Sequence, residues 1–162
     1  MRRTTRRTTE KASYSHLLPA SGDLDELVAR VATSRSRTIT LMPICLPEDA
    51  PSGLWIATGA RDYIVYPDDA DAQWRSGIVC HEIAHMLLGH DPRPGTSDLG
   101  GLVAAAAPSI DPQVAARFLH RHGYTDAVEA DAENLGTRLA AELGAAHTAA
   151  QGHRDRVFDR MR

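Results

Sequence analysis

The five residues His81-Glu82-Ile83-Ala84-His85 constrain the fold of this chain more than any other feature. Residues four positions apart lie on one face of an α-helix, so both imidazoles can reach a single metal ion if this segment is helical. Apolar residues recur at helical spacing over 72–89, and Gly89 is a typical helix end. The sequence therefore predicts a helix over 72–89 that carries both histidines.

The HExxH pattern is typical of a zinc site that keeps an open coordination position. Zinc accepts neutral imidazole nitrogens at about 2.0–2.1 Å, and a catalytic zinc ion usually has three protein ligands and one water. Glu82 follows the first histidine, and its carboxylate can reach this water and take its proton. We therefore predict His81 and His85 as ligands of one Zn²⁺ per chain and Glu82 as general base. The alternative is an ordinary amphipathic helix with two surface histidines.

A third ligand has to come from another part of the chain. The predicted last helix offers three acidic residues, Glu129, Asp131 and Glu133. Glu129 and Glu133 lie one turn apart on one face, whereas Asp131 lies on another. We expect Glu129 to bind the metal and Glu133 to hydrogen-bond a ligand histidine, with Asp131 as the alternative ligand. Without the HExxH pattern, all three would be interpreted as solvated surface carboxylates.

Other polar residues are weaker candidates for the site. His90 lies close to His85 in sequence, but five residues turn a helix by about 140° from the starting face. Two histidines and three tyrosines could stabilise an oxyanion or polarise a carbonyl. Residues of these types more often lie at the surface without a role in a site. These candidates are His120, His122, Tyr63, Tyr66 and Tyr124.

The order of patterns along the chain predicts an α+β fold. Asp23, followed by apolar residues at helical spacing, predicts a first helix over 24–35. Alternating β-branched or aromatic segments at 38–42, 54–58 and 63–66 predict three strands, the last two as an antiparallel hairpin. We expect a small three-stranded antiparallel or mixed sheet packed on helices.

The second half of the chain is predicted to be helical with one long loop. Residues 91–110 are rich in Gly, Pro, Ser and Ala and predict a loop with at most a short helical stretch at 102–107. A helix is predicted over 112–122. The last helix is predicted over 125–143, with Gly144 as its stop and partly helical or frayed residues after it.

Length and charge indicate one domain with charged ends. The 162 residues fit a single modest core. We expect a flexible basic tail over 1–20, a folded domain over 21–145 and a charged C-terminal extension over 146–162. The net charge of -3 argues against a nucleic-acid-binding domain, although the tail is an alternative site of weak contact with nucleic acid or an acidic partner. The tail's basic residues are Arg2, Arg3, Arg6, Arg7 and Lys11.

Cysteine usage and hydropathy indicate a cytoplasmic protein. Cys45 and Cys80 follow no metal-pair spacing and suggest no disulfide framework. Cys80 precedes the first histidine and is expected to pack beneath the site without binding metal. No stretch approaches the roughly 20 apolar residues of a membrane span, and no apolar segment follows the basic start as in a secretory signal.

The residues and their order resemble the ImmA/IrrE metallopeptidases, which have a zincin-like fold. The resemblance extends from about Leu24 to Leu143 and is strongest over 53–55, 63–66 and 79–90. The later segment Glu129-Ala130-Asp131-Ala132-Glu133-Asn134-Leu135-Gly136 is similar to the family's motif E-x-E-A-N-x-F-A. This chain has Glu133 where the family usually has asparagine, and Leu135-Gly136 where it has Phe-Ala.

The resemblance implies a cytoplasmic, zinc-dependent metallopeptidase with His81, His85 and Glu129 as ligands and Glu82 as base. It implies cleavage of a specific regulatory protein, such as a helix-turn-helix transcriptional repressor, in a stress response or a toxin–antitoxin-like pair. The zincin layout also suggests that the strand Tyr63–Tyr66 pairs by its edge with an extended substrate. The alternative function is a non-catalytic, zinc-containing regulatory or interaction module, or a toxin component of a two-gene system.

Overall fold

The computed structural model describes residues 14–46, 51–58, 61–90 and 125–159, with the side chains of 155–159 left out. A short 3-10 turn, Ser15–Leu17, precedes the main elements. In chain order these are α1 (Leu24–Arg35), β1 (Thr38–Ile44), β2 (Leu54–Ala57), β3 (Arg61–Pro67), α2 (Ala72–Leu87) and α3 (Asp126–Asp159). The stretch at 102–107, the helix over 112–122 and the residues His120, His122 and Tyr124 lie outside the described residues.

The three strands form one mixed sheet in the order β1-β3-β2. β3 runs parallel to β1, with Thr40 opposite Tyr63, and antiparallel to β2, with Trp55 opposite Ile64. The α+β class and the β2–β3 hairpin are confirmed. The edge role of Tyr63–Tyr66 is wrong, because β3 lies between two partners and all its residues except Arg61 are buried.

Side-chain caps define where the first two described α-helices begin. Asp23 accepts a hydrogen bond from the Glu26 N–H at 2.8 Å, and Asp71 accepts one from the Trp74 N–H at 2.7 Å. Each bond satisfies an amide that has no partner inside its own helix. The observed starts of α1 and α2, at Leu24 and Ala72, agree with the predicted ones.

Helix α2 packs on both the sheet and α3, which explains why it is buried on most sides. Its residues from Ile78 to Met86 are buried except His81, which is partly exposed. Along α3, buried residues recur at helical spacing: Ala132, Leu135, Leu139 and Leu143. Leu17, in the segment predicted as tail, also belongs to this core. The partly exposed His81 lies where α2 meets α3.

A buried carboxylate ties the start of the sheet to the end of α2. Asp62 is fully buried, and its Oδ2 lies 2.9 Å from Arg37 Nε and 3.5 Å from Arg35 Nη2. Arg35 also donates a hydrogen bond from Nη1 to the Met86 carbonyl oxygen at 2.9 Å. The arginine thus satisfies a carbonyl in the last turn of α2 and holds this end of the helix against the sheet.

The predicted end of the last helix at Leu143 is wrong, because α3 continues to Asp159. Gly144 is exposed, and a Cβ placed on it would meet nothing within 4 Å. A glycine inside a helix costs only about 1 kcal/mol relative to alanine. The alanine-rich residues after it are strong helix formers and continue the helix. Within the described residues, no helix has the combination of length and apolar character that crossing a membrane requires.

Candidate metal centre

Helix α2 places the two histidines of the HExxH pattern side by side, as predicted. The Nε2 atoms of His81 and His85 are 3.0 Å apart. His85 is only 1% exposed, and a quarter of the His81 side chain is exposed. The pair therefore presents two imidazole nitrogens to one point at the surface of α2.

Helix α3 adds one carboxylate oxygen to this pair. Glu129 Oε2 lies 3.3 Å from His81 Nε2 and 3.7 Å from His85 Nε2. A tetrahedral zinc ion with bonds of about 2.0–2.1 Å holds its ligand atoms about 3.3–3.4 Å apart. The three measured separations lie close to that value, so this donor set fits a single zinc ion. Asp131, the alternative ligand, is exposed and lies outside the cluster found among the described residues.

Glu133 lies close to His81, one of the two candidate ligand histidines. Its Oε2 lies 3.3 Å from His81 Nδ1, on the other side of the ring from Nε2. Thr137 Oγ1 donates a hydrogen bond to Glu133 Oε1 at 3.2 Å. A carboxylate at Nδ1 holds the proton there and leaves the Nε2 lone pair available for a metal ion.

Glu82 is on α2, and its side chain is buried against the segment that contains Gly53 and Trp55. It is 6% exposed and accepts a hydrogen bond from the Trp55 backbone N–H. The pKa of Glu82 is raised to about 8, chiefly by burial and then by the negative charge of Glu129, while the Trp55 hydrogen bond acts in the opposite direction. Gly53 allows this contact, because a Cβ on it would lie 2.8 Å from Glu82 Oε1.

His85 is held in its neutral form, which is the form that binds metal. The pKa of His85 is lowered to about 3, chiefly by burial and then by the neighbouring His81 and His90. A neutral imidazole keeps one nitrogen lone pair for coordination. His90 lies outside the three-residue cluster, and its Nδ1 is 2.9 Å from His85 Nδ1.

The three candidate ligands and Glu82 line a cleft of about 1000 Å³. The segment Pro51–Trp55 and residues of α3 also line this cleft. Trp74, in the first turn of α2, lines the same cleft and is 47% exposed. Of the weaker candidates, those that the structure describes do not line the cleft. Tyr63 and Tyr66 are buried and do not line the cleft, and Cys80 is buried, which raises its thiol pKa to about 12.

Gly136 is a site residue whose role the sequence did not indicate. A Cβ on it would lie 2.8 Å from His81 Cα, 3.0 Å from His81 N and 3.2 Å from the Cys80 carbonyl oxygen. These are backbone atoms of α2, which cannot move aside without shifting the helix. Gly136 therefore lets α3 approach α2 closely enough for Glu129 and Glu133 to reach His81. A glycine inside a strong helical pattern was the available signal for such close packing.

We expect Gly136→Ala to destabilise the protein by about 1–3 kcal/mol, because the added methyl group overpacks a rigid contact. Gly144→Ala is the matched control on the same helix, where a Cβ meets nothing within 4 Å. It should stabilise the protein by about 0.4–1 kcal/mol through the lower entropy of the unfolded chain. Urea denaturation of both variants measures these changes, and shifts in the same direction would contradict the close-approach role of Gly136.

Comparisons of this chain with protein-family models, with curated proteins and with solved structures found no match. The resemblance to the ImmA/IrrE family is therefore carried by its motifs alone. The function of this chain is inferred from the geometry of the two histidines, the carboxylate of Glu129 and the adjacent Glu82.

Proposed function

We propose that this protein is a zinc-dependent metallopeptidase. One observation carries the proposal: three ligand atoms, on His81, His85 and Glu129, converge at tetrahedral spacing beside a buried carboxylate in an open cleft. Zinc held there would act as a Lewis acid that polarises the scissile carbonyl and lowers the pKa of the attacking water.

The chain's own residues supply the proton transfers. Glu82 follows the first ligand and lines the same cleft, so its carboxylate can accept a proton from the attacking water and deliver it to the leaving amine. The Trp55 N–H orients this carboxylate. Glu133, which accepts a hydrogen bond from Thr137, holds His81 from the opposite side of its ring and keeps its Nε2 directed at the metal site.

The geometry favours β2 as the strand that binds an extended substrate. Among the described residues β2 pairs only with β3, and its other edge lies beside the cleft. Leu54 and Trp55 of β2 line the same cleft as Glu82 and Trp74, so a peptide paired with this edge would lie close to both residues of α2. Backbone pairing with a strand edge aligns a peptide without regard to most of its side chains. Selectivity for one regulatory protein, such as a helix-turn-helix repressor, would then come from contacts beyond the paired segment.

The test is metal-dependent hydrolysis of a peptide mixture, followed by mass spectrometry. We expect purified protein with one zinc ion per chain to cleave a subset of peptides. Removal of the ion by a chelator should abolish cleavage, and one equivalent of zinc should restore it. Helix-turn-helix regulators encoded near this protein are the first full-length substrates to assay. A fully zinc-loaded protein that cleaves neither peptides nor these regulators would instead support the non-catalytic module.

A further inference from the structure

Helix α2 ends in a tight turn at Gly89. This residue has a φ of +70°, which glycine adopts without steric cost. Its N–H donates to the Met86 carbonyl oxygen at 3.3 Å, and the His90 N–H donates to the His85 carbonyl oxygen at 3.0 Å. These two bonds define a Schellman motif, in which the second residue after the helix cap lies against the third residue from the helix end. Here those two residues are His90 and His85.

The same turn brings the two imidazole rings together. His90 Nδ1 lies 2.9 Å from His85 Nδ1, and the rings meet edge to face with centroids 5.1 Å apart. A neutral imidazole has one N–H donor and one acceptor nitrogen, so at this contact one ring donates and the other accepts. If His85 binds a metal ion through Nε2, its proton is on Nδ1, and His90 is the acceptor.

We propose that His90 is a positioning residue for the metal site and not a ligand. It accepts a hydrogen bond from His85 Nδ1–H and so orients the Nε2 lone pair of His85 toward His81 and Glu129. Its contact is on the opposite side of the His85 ring from Nε2, which explains why it lies outside the ligand cluster. This inference rests on the proposed metal site.

Each candidate ligand histidine then has its own supporting residue. His81 is held at Nδ1 by Glu133 from α3, and His85 is held at Nδ1 by His90 from the end of its own helix. Outer contacts of this kind fix the tautomer and the ring orientation of a metal-binding histidine. The sequence feature responsible is the spacing of His85, Gly89 and His90, in which glycine supplies the turn and the second histidine supplies the acceptor.

The experiment compares zinc affinity, by competition with a chromophoric chelator, in wild type, His90→Ala and His90→Asn. Loss of an outer-shell partner typically costs 10–100-fold in metal affinity, and we expect this loss for His90→Ala. Asparagine places an oxygen acceptor where His90 has Nδ1, so His90→Asn should stay close to wild type. His147→Ala is the control, because this exposed histidine on α3 contacts Gln151 and is remote from the cluster.

A second readout separates positioning from a general structural role. With Co²⁺ in place of zinc, His90→Ala should change the visible absorption spectrum and His90→Asn should restore it. The metal-free melting temperature should be similar in both variants. Equal zinc affinity in wild type and His90→Ala, or equally weak binding in His90→Asn and His90→Ala, would overturn the positioning role. Undiminished zinc binding in His81→Ala would instead overturn the metal site itself, and with it the proposed function.

Discussion

Glu82→Gln is expected to retain one zinc ion per chain and to hydrolyse peptides about 10²–10⁴-fold more slowly than wild type. Glutamine preserves the shape of the side chain and can still accept the Trp55 N–H, but it cannot take a proton from water. The measurement is kcat/KM for a cleaved peptide, with the zinc content of each sample determined in parallel. Equal activity in both proteins would refute the assigned role of Glu82.

Loss of activity in Glu82→Gln should not reflect loss of folding. The pKa of Glu82 is raised from 4.5 to about 8 in the folded, metal-free protein. Below pH 4.5 the carboxyl group is protonated in both states, and the free energy of unfolding has its full value. That free energy falls as the pH rises toward 8, because the unfolded chain loses this proton and the folded protein keeps it. Glutamine does not ionise, so the variant lacks this loss of stability with rising pH. Metal-free Glu82→Gln should therefore gain stability relative to wild type between pH 5 and pH 8, by on the order of 3 kcal/mol. Urea denaturation at both pH values provides this control.

Glu129→Ala is expected to weaken zinc binding by more than the roughly 10–100-fold cost of losing an outer-shell partner. Its Oε2 is the oxygen that lies within 3.7 Å of both histidine Nε2 atoms. Asp131→Ala should bind zinc like wild type, because Asp131 is exposed on another face of the same helix. Elemental analysis of the purified proteins and competition with a chelator measure both effects.

The Asp131 variant makes this comparison decisive. Both substitutions remove one carboxylate from the same turn of α3, so nonspecific effects of charge are nearly matched. Equal losses of zinc in the two variants would point to the net charge of α3 rather than to a bond from Glu129. Full retention of zinc in both variants would move the third ligand to another part of the chain.

Local patterns predicted much of this fold. Caps and apolar spacing predicted α1 and the start of α2, and alternation predicted the β2–β3 hairpin. These elements depend on interactions between residues that are close in sequence, which is why their boundaries can be inferred from local signals. The proximity of His81 and His85 could be predicted in the same way, because residues four positions apart lie on one face once the segment is helical.

Long-range relations could not be predicted in the same way. The parallel pairing of β1 with β3 joins segments that no local pattern connects, and it places β3 in the middle of the sheet, where it has no free edge among the described strands. The sequence favoured Glu129 over Asp131 but could not decide between them. That choice depends on how α3 rotates and how closely it approaches α2, which the contact of Gly136 with His81 determines.

The division of the candidate ligands between two helices has a thermodynamic consequence. His81 and His85 belong to α2, whereas Glu129 belongs to α3, so an ion bound by all three would cross-link the two helices. An ion that binds the folded chain much more tightly than the unfolded chain stabilises it by RT ln(1 + [L]/Kd). The free energy with which α3 packs on α2 would thus be coupled to the affinity for the ion. A substitution in the apolar contact between the helices, at Leu139 for example, would then weaken ion binding without touching a ligand.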